Sequence, residues 1–140
     1  MQIITLTSDI GLKDFYVACL KGKLLQFRPE VHIVDVTHQI KPFEVAEAAF
    51  QLRSCYQSFP EGTIHIMGVD SEPYLPYKVT DPSQESLLAY PSILKFDNQY
   101  FICNDNGFIG TFLGEDVPQE LYRYVAIEKQ PEAWNFMMKN

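Results

Sequence analysis

Apolar and polar positions follow two rhythms along the first half of this 140-residue chain. Short β-branched runs fill residues 2–7 (QIITLT), 31–37 (VHIVDVT) and 63–69 (TIHIMGV), and the turn-forming residues around them mark them as strands. Between them the spacing lengthens to that of helices. Tyr16, Val17, Cys19, Leu20, Gly22 and Leu24 lead to Phe27, where Pro29 stops the pattern, with Asp14 placed as N-cap. Val45, Ala46, Ala49, Phe50 and Leu52 define a second helix from about Phe43 to Tyr56, ended by the turn chemistry of Phe59-Pro60-Glu61-Gly62. Strands that are continuously apolar, joined in series by helices, predict an α/β fold: a three-layer α/β/α sandwich with a mostly parallel central sheet.

Beyond Asp70 the rhythm changes. Residues 71–85 hold three prolines without apolar periodicity and predict a loop, whereas 86–90, 92–96 and 99–104 predict strands joined by tight turns, as β-hairpin additions to the sheet. Asn104-Asp105-Asn106-Gly107 opens a short helical turn from Phe108 to Leu113, and a last strand is expected near 120–127. A single domain over residues 1–140 accommodates all of this.

Composition narrows the partners. With 18 acidic and 11 basic side chains the net charge is −7, and the basic residues are scattered singly, which argues against nucleic acid. The opening apolar run is too short for a signal peptide, and nothing approaches the ~18 apolar residues of a membrane span. A cytoplasmic protein without a membrane partner is the expectation. Cys19, Cys55 and Cys103 are odd in number, far apart and set in apolar segments, so they read as buried small hydrophobes. The glycine-rich, P-loop, GxSxG and CxxC signatures do not occur.

Four polar segments follow predicted strands. Asp9 and Asp14, five residues apart with Gly11 between them, follow the first; His38 to Phe43 follow the second; Asp70 follows the third; Asn104 to Gly107 follow a later one. In an open α/β sheet the carboxyl ends of the strands form the ligand-binding edge, so one fold brings all four together. Asp9 and Asp14 suit the hydroxyl or amino groups of a small molecule, and equally suit turn or cap roles. Asp70 is the best candidate for activating water, the alternative being a solvated loop carboxylate. His38, three residues after Asp35, is either a general base or a hydrogen-bonded structural residue, and His32 and His65 are given no role. Asp9, Asp14, His38 and Asp70 include metal-ligand types, but their spacing does not demand a metal and none is assigned.

Read together, Thr7-Ser8-Asp9-Ile10-Gly11-Leu12-Lys13-Asp14-Phe15-Tyr16-Val17, Ile33-Val34-Asp35-Val36-Thr37-His38-Gln39-Ile40, Phe59-Pro60-Glu61-Gly62-Thr63-Ile64-His65 and Asn104-Asp105-Asn106-Gly107 are, in order and spacing, similar to the adenosine-forming S-adenosylmethionine hydrolases. These S-adenosylmethionine hydroxide adenosyltransferases are related to the fluorinating and chlorinating enzymes. The resemblance implies attack by water, as hydroxide, at the ribose 5′ carbon of S-adenosylmethionine, giving adenosine and methionine with no cofactor. A sulfonium leaving group needs no acid, so such a site mainly aligns a desolvated nucleophile with the C–S bond. By position, Asp9 would hold the ribose hydroxyls, Asp14 would lie toward the methionine portion, Phe43 would form an aromatic wall and Asn106 would join the substrate contacts. Asp70 would match the aspartate associated with water activation.

The same resemblance marks differences. The family's arginine position holds Tyr77, with Lys78 beside it, and no histidine follows His65. The family's β-rich C-terminal domain, which closes the site in a trimer, has no counterpart within these residues. A non-catalytic module that binds a nucleoside or another subunit is therefore the competing expectation. A metal-dependent hydrolase built on Asp9, Asp14 and Asp70 is a third.

Overall fold

The computed structural model describes residues 1–69 and 91–123. Among these residues, six strands and three α-helices follow one another as β1 (Ile3–Ser8), α1 (Tyr16–Phe27), β2 (His32–Thr37), α2 (Val45–Cys55), β3 (Ile64–Gly68), β4 (Pro91–Phe96), β5 (Gln99–Asn104), α3 (Phe108–Leu113) and β6 (Glu120–Arg123), with a 3₁₀ turn over Tyr56–Ser58. The predicted elements that fall on described residues are all present, within a few residues at their ends. The expected loop at 71–85, the strand at 86–90 and the end of the last strand lie outside the described residues.

The sheet runs in the order β2-β1-β3-β5-β4-β6. Pairings β1–β2, β1–β3 and β3–β5 are parallel, whereas β4–β5 and β4–β6 are antiparallel. The α/β class is as expected, but the sheet is mixed rather than mostly parallel. The reversal comes from a two-residue connection: Phe96 pairs with Gln99, and Asp97 and Asn98 between them have φ of 50° and 58°. Positive φ at both central residues matches the right-handed twist of the paired strands, and Asx residues tolerate it best after glycine.

Two apolar clusters hold the sheet. Ile4 and Leu6 of β1, Leu20 of α1, Val31 and Ile66 make one; Ala48, Ala49 and Leu52 of α2, Phe108 and Phe112 of α3, and Met67, Phe101 and Cys103 belong to the other. Neighbouring residues Ile66 and Met67 feed different clusters, as successive side chains on a strand point to opposite faces. Tyr56 is the hub of the larger cluster, with its ring 5.5–5.9 Å from those of Phe96, Phe101 and Phe112 and its hydroxyl donating to Asp97 at 2.8 Å.

Two sequence expectations are corrected. The N-cap of α1 is Phe15, which makes no side-chain cap bond, so Asp14 stands outside the helix on an exposed turn. Cys103 is buried as expected, and burial pushes its thiol far up, but Cys55 is only partly buried and Cys19 is exposed on α1. The apolar face of that helix is carried by Val17, Leu20 and Leu24, and Cys19 lies off it.

Candidate functional site at the carboxyl edge of the sheet

β2, β1, β3 and β5 are adjacent and parallel, so their carboxyl ends lie along one edge. The chain goes from β1 to β2 on one side and returns to β3 on the other. Such a reversal of strand order splays the loops apart and opens a crevice at the strand ends. Asp9, the His38–Phe43 loop and Asn106 all stand on this edge. Asp70 lies outside the described residues, one position beyond the buried Val69 that follows β3.

The loops after β1 and β2 are tied together by backbone and side chain. Gly11 donates its N–H to the carbonyl of His38 at 2.8 Å, and Ile40 donates to Ser8 at 3.3 Å. Gly11, at φ +71°, makes the turn that glycine reaches without strain. Half-buried Asp9 accepts the N–H of Phe43 on Oδ2 at 3.2 Å. Among the described residues no hydrogen bond reaches its Oδ1, which leaves that oxygen for a hydroxyl.

Phe43 is held in an uncommon conformation. Glu44 donates to Lys41 at 3.0 Å, closing a turn with Pro42 in its second position and Phe43, at φ +66°, in its third, where such turns ordinarily place glycine. A bulky side chain there is strained by about 1–2 kcal/mol. The residue is 73% exposed, and its backbone is tied to Asp9. Asp14, also exposed, makes no hydrogen bond to either, and the structure brings together Asp9 and Phe43 but not Asp14.

On the far side of β3, Asn106 donates from Nδ2 to the carbonyl of Val69 at 3.1 Å and accepts the Phe108 N–H on Oδ1 at 3.4 Å. It thereby fixes the chain just before Asp70 against the loop after β5. Arg123 of β6 pairs with Asp105 and braces that loop from outside.

His38 is 2% exposed and bonded at both ring nitrogens, to Ser8 Oγ at 2.5 Å through Nδ1 and to Asp35 Oδ1 at 2.8 Å through Nε2. This is the structural alternative for His38, since neither nitrogen is left for a substrate. Burial alone would raise the Asp35 carboxyl, but hydrogen bonds from Lys21 and His38, with the Lys21 charge, hold it below the usual range. Ser8 and Lys21 escaped the sequence reading. The Asp35-x-x-His38 spacing was a usable signal, whereas nothing local marks a helical lysine as its partner.

Elsewhere, His65 is buried between Thr5 Oγ1 and Gln99 Oε1, both at 2.6 Å, and stacks on Phe101. A cleft of about 350 Å³ lined by Met1, Gln2, Arg28, Glu30 and Val31 lies at the amino ends of β1 and β2, away from this edge. Among the described residues no group of three or more His, Cys, Asp or Glu is arranged around a metal position, and no helix is long and apolar enough to cross a membrane.

Comparison with known proteins follows this geometry. An (R)-S-adenosyl-L-methionine hydrolase of Methanocaldococcus jannaschii is 34% identical over 74 residues, covering 50% of this chain and 28% of the relative. A fluorinase of Nocardia brasiliensis is 42% identical over 62 residues, 44% of this chain and 21% of the enzyme. The match thus spans under a third of either relative's length. Among solved structures, an uncharacterized conserved protein from Thermotoga maritima superposes with a TM-score of 0.70 at 27% identity, over 88% of this chain and 42% of that one. A conserved hypothetical protein from Thermus thermophilus gives 0.65 at 25%, over 88% and 46%. Residues 4–139 match the family described as the SAM hydroxide adenosyltransferase N-terminal domain, and the chain belongs to that family.

Proposed function

We propose that this edge binds the adenosine end of S-adenosylmethionine, and that the chain acts as the first domain, a three-layer α/β/α unit, of an adenosine-forming S-adenosylmethionine hydrolase. The observation that carries the reading is the Asp9–Phe43 pair: one carboxylate oxygen fixes a strained aromatic residue while the other remains for a ligand hydroxyl. In this reading Asp9 accepts from the ribose diol, because the lone pairs of Oδ1, with the second lone pair of Oδ2, can take both hydroxyls. Phe43 covers the nucleoside, Asn106 sets the approach to Asp70, and Asp14 serves the methionine portion. Asp70 holds the water that attacks the ribose 5′ carbon, forming the C–O bond as the C–S bond breaks and methionine leaves as a neutral thioether. One proton of the water stays on the new 5′ hydroxyl of adenosine, and the other passes to the Asp70 carboxylate and from there to solvent.

A second reading, nucleoside binding without turnover, is favoured by one specific feature. Tyr77 occupies the position where the resembled hydrolases carry arginine, and Lys78 cannot reproduce a guanidinium fork. Incubation with S-adenosylmethionine, followed by chromatography for adenosine, separates the two. Hydrolysis predicts adenosine above the protein-free blank, falling at least ~100-fold in Asp70→Asn. Adenosine binding without product selects the second reading. Neither product nor binding overturns both.

A further inference from the structure

We infer that Ser8 and His38 are positioning residues for Asp9, and that they work through a hydrogen-bonded chain running inward from Lys21 on α1. The inference rests on the proposed role of Asp9, although the chain itself is geometric. Lys21 Nζ donates to Asp35 Oδ2 at 2.7 Å, and His38 Nε2 lies 2.8 Å from Asp35 Oδ1. Asp35 is an acceptor, so Nε2 carries a proton, and in the tautomer protonated there alone Nδ1 accepts. Ser8 Oγ, 2.5 Å away, then points its hydroxyl hydrogen at Nδ1, leaving its lone pairs for the Ile10 N–H at 3.5 Å. Ile10, Ser8 and His38 donate in one direction, outward from the turn around Asp9 to Asp35, and Asp35 accepts from Lys21 on its other oxygen.

The location gives the chain its purpose. Ser8 is the last residue of β1 and fully buried, Asp9 follows it, and Ile10 and Gly11 complete the turn. The residue that accepts the Ser8 hydroxyl also offers its backbone carbonyl to Gly11. His38 therefore grips the turn at two points, on either side of Asp9. The register between β1 and β2 slips between Leu6 and Thr7, where Asp35 and then Thr37 are the partners and Val36 is passed over. Bulges of this kind re-aim side chains, and this one lies between the two residues, Asp35 and His38, that meet across it. A carboxylate must be held within about 0.5 Å to engage two vicinal hydroxyls together, and supporting hydrogen bonds supply that tolerance. Ser8 and His38 touch no substrate in this arrangement.

The test uses the full chain with Ser8→Ala and Ser8→Thr, read by amide hydrogen exchange and by calorimetric titration with adenosine. In Ser8→Ala the Ile10 and Gly11 amides are expected to exchange ~10-fold faster, as loss of one buried hydrogen bond implies, while amides of β3 and β5 keep their protection. Adenosine affinity falls by a similar factor, and Ser8→Thr, which retains a hydroxyl, restores both to within about twofold. Unchanged exchange at Ile10 and Gly11 overturns the inference. So does acceleration spread evenly over the sheet, which would make the chain a general stabilising element. If the unaltered protein binds no adenosine, the proposed function fails, and exchange at the two amides still decides this inference. Should Ser8→Ala not fold, Asp35→Asn, at the exposed end of the same chain, is expected to accelerate the same two amides about threefold. No acceleration there is contrary to the inference.

Discussion

Among the described residues, two places put side-chain-bearing residues at positive φ, and they do so for opposite reasons. In the β4–β5 hairpin, Asp97 and Asn98 adopt it where a two-residue turn demands it and where Asx residues are suited to it. At the carboxyl edge, Phe43 adopts it where glycine is the natural occupant. The hairpin is a region in which local preference and tertiary structure agree. The edge is one in which they conflict, and the conflict displays an exposed ring beside a carboxylate. Strain of this kind persists only where its surroundings impose it, which is why it points to binding at the edge and to stability at the hairpin.

The largest effect expected from this contrast lies on the hairpin side. Phe101 of β5 is fully buried among Tyr56, Phe112 and His65, so Phe101→Ala removes about 3–5 kcal/mol in chemical denaturation. A loss below roughly 1 kcal/mol would contradict the placement of the core. Next, Asn98→Val puts a β-branched residue at positive φ and is expected to destabilise by about 1–2 kcal/mol while leaving nucleoside affinity unchanged. Phe43→Gly has the opposite signature. It relieves strain and raises stability by up to about 1 kcal/mol, yet it weakens adenosine binding in the same preparation. A parallel change in stability and binding would erase the distinction between the regions.

The smallest effects are in pH. Burial pushes His65 below the usual imidazole range, against the bond to Gln99, so the unfolded chain binds that proton more readily than the folded one. The His65 contribution is then complete above about pH 6.5 and diminishes as pH falls toward the folded value. Asp35, held low by Lys21 and His38 against desolvation, adds a contribution present above about pH 3.9 and lost below it as pH falls through its folded value. Denaturation midpoints measured from pH 8 to pH 3 should therefore decline in two stages, the first belonging to the core and the second to the edge. A midpoint flat between pH 8 and about pH 5 contradicts the buried His65 network.

Much of the fold was legible because its signals are local. β-branched runs marked β1 to β3, Pro29 marked the end of α1, and the turn residues around Asp97 and Asn98 marked the hairpin. The hairpin addition was legible, but no local pattern tells that β5 rather than β4 lies beside β3, so the strand order had to come from the structure. At the site, position after a strand brought out Asp9, the His38–Phe43 loop and Asn106. It misplaced Asp14 as a cap, because the helix begins two residues later on exposed Phe15 and Tyr16. The conformation of Phe43 and the path from Lys21 through Asp35 and His38 to Ser8 depend on contacts across 14 to 34 residues of sequence, which no short window contains.

The most direct measurement compares adenosine with 2′-deoxyadenosine by calorimetric titration, in the unaltered protein and in Asp9→Ala. If Asp9 grips the ribose diol, adenosine binds at least ~10-fold more tightly than its deoxy analogue, and Asp9→Ala abolishes that preference. Equal affinity for the two nucleosides in the unaltered protein, or a preference that survives Asp9→Ala, would contradict the assignment of this edge.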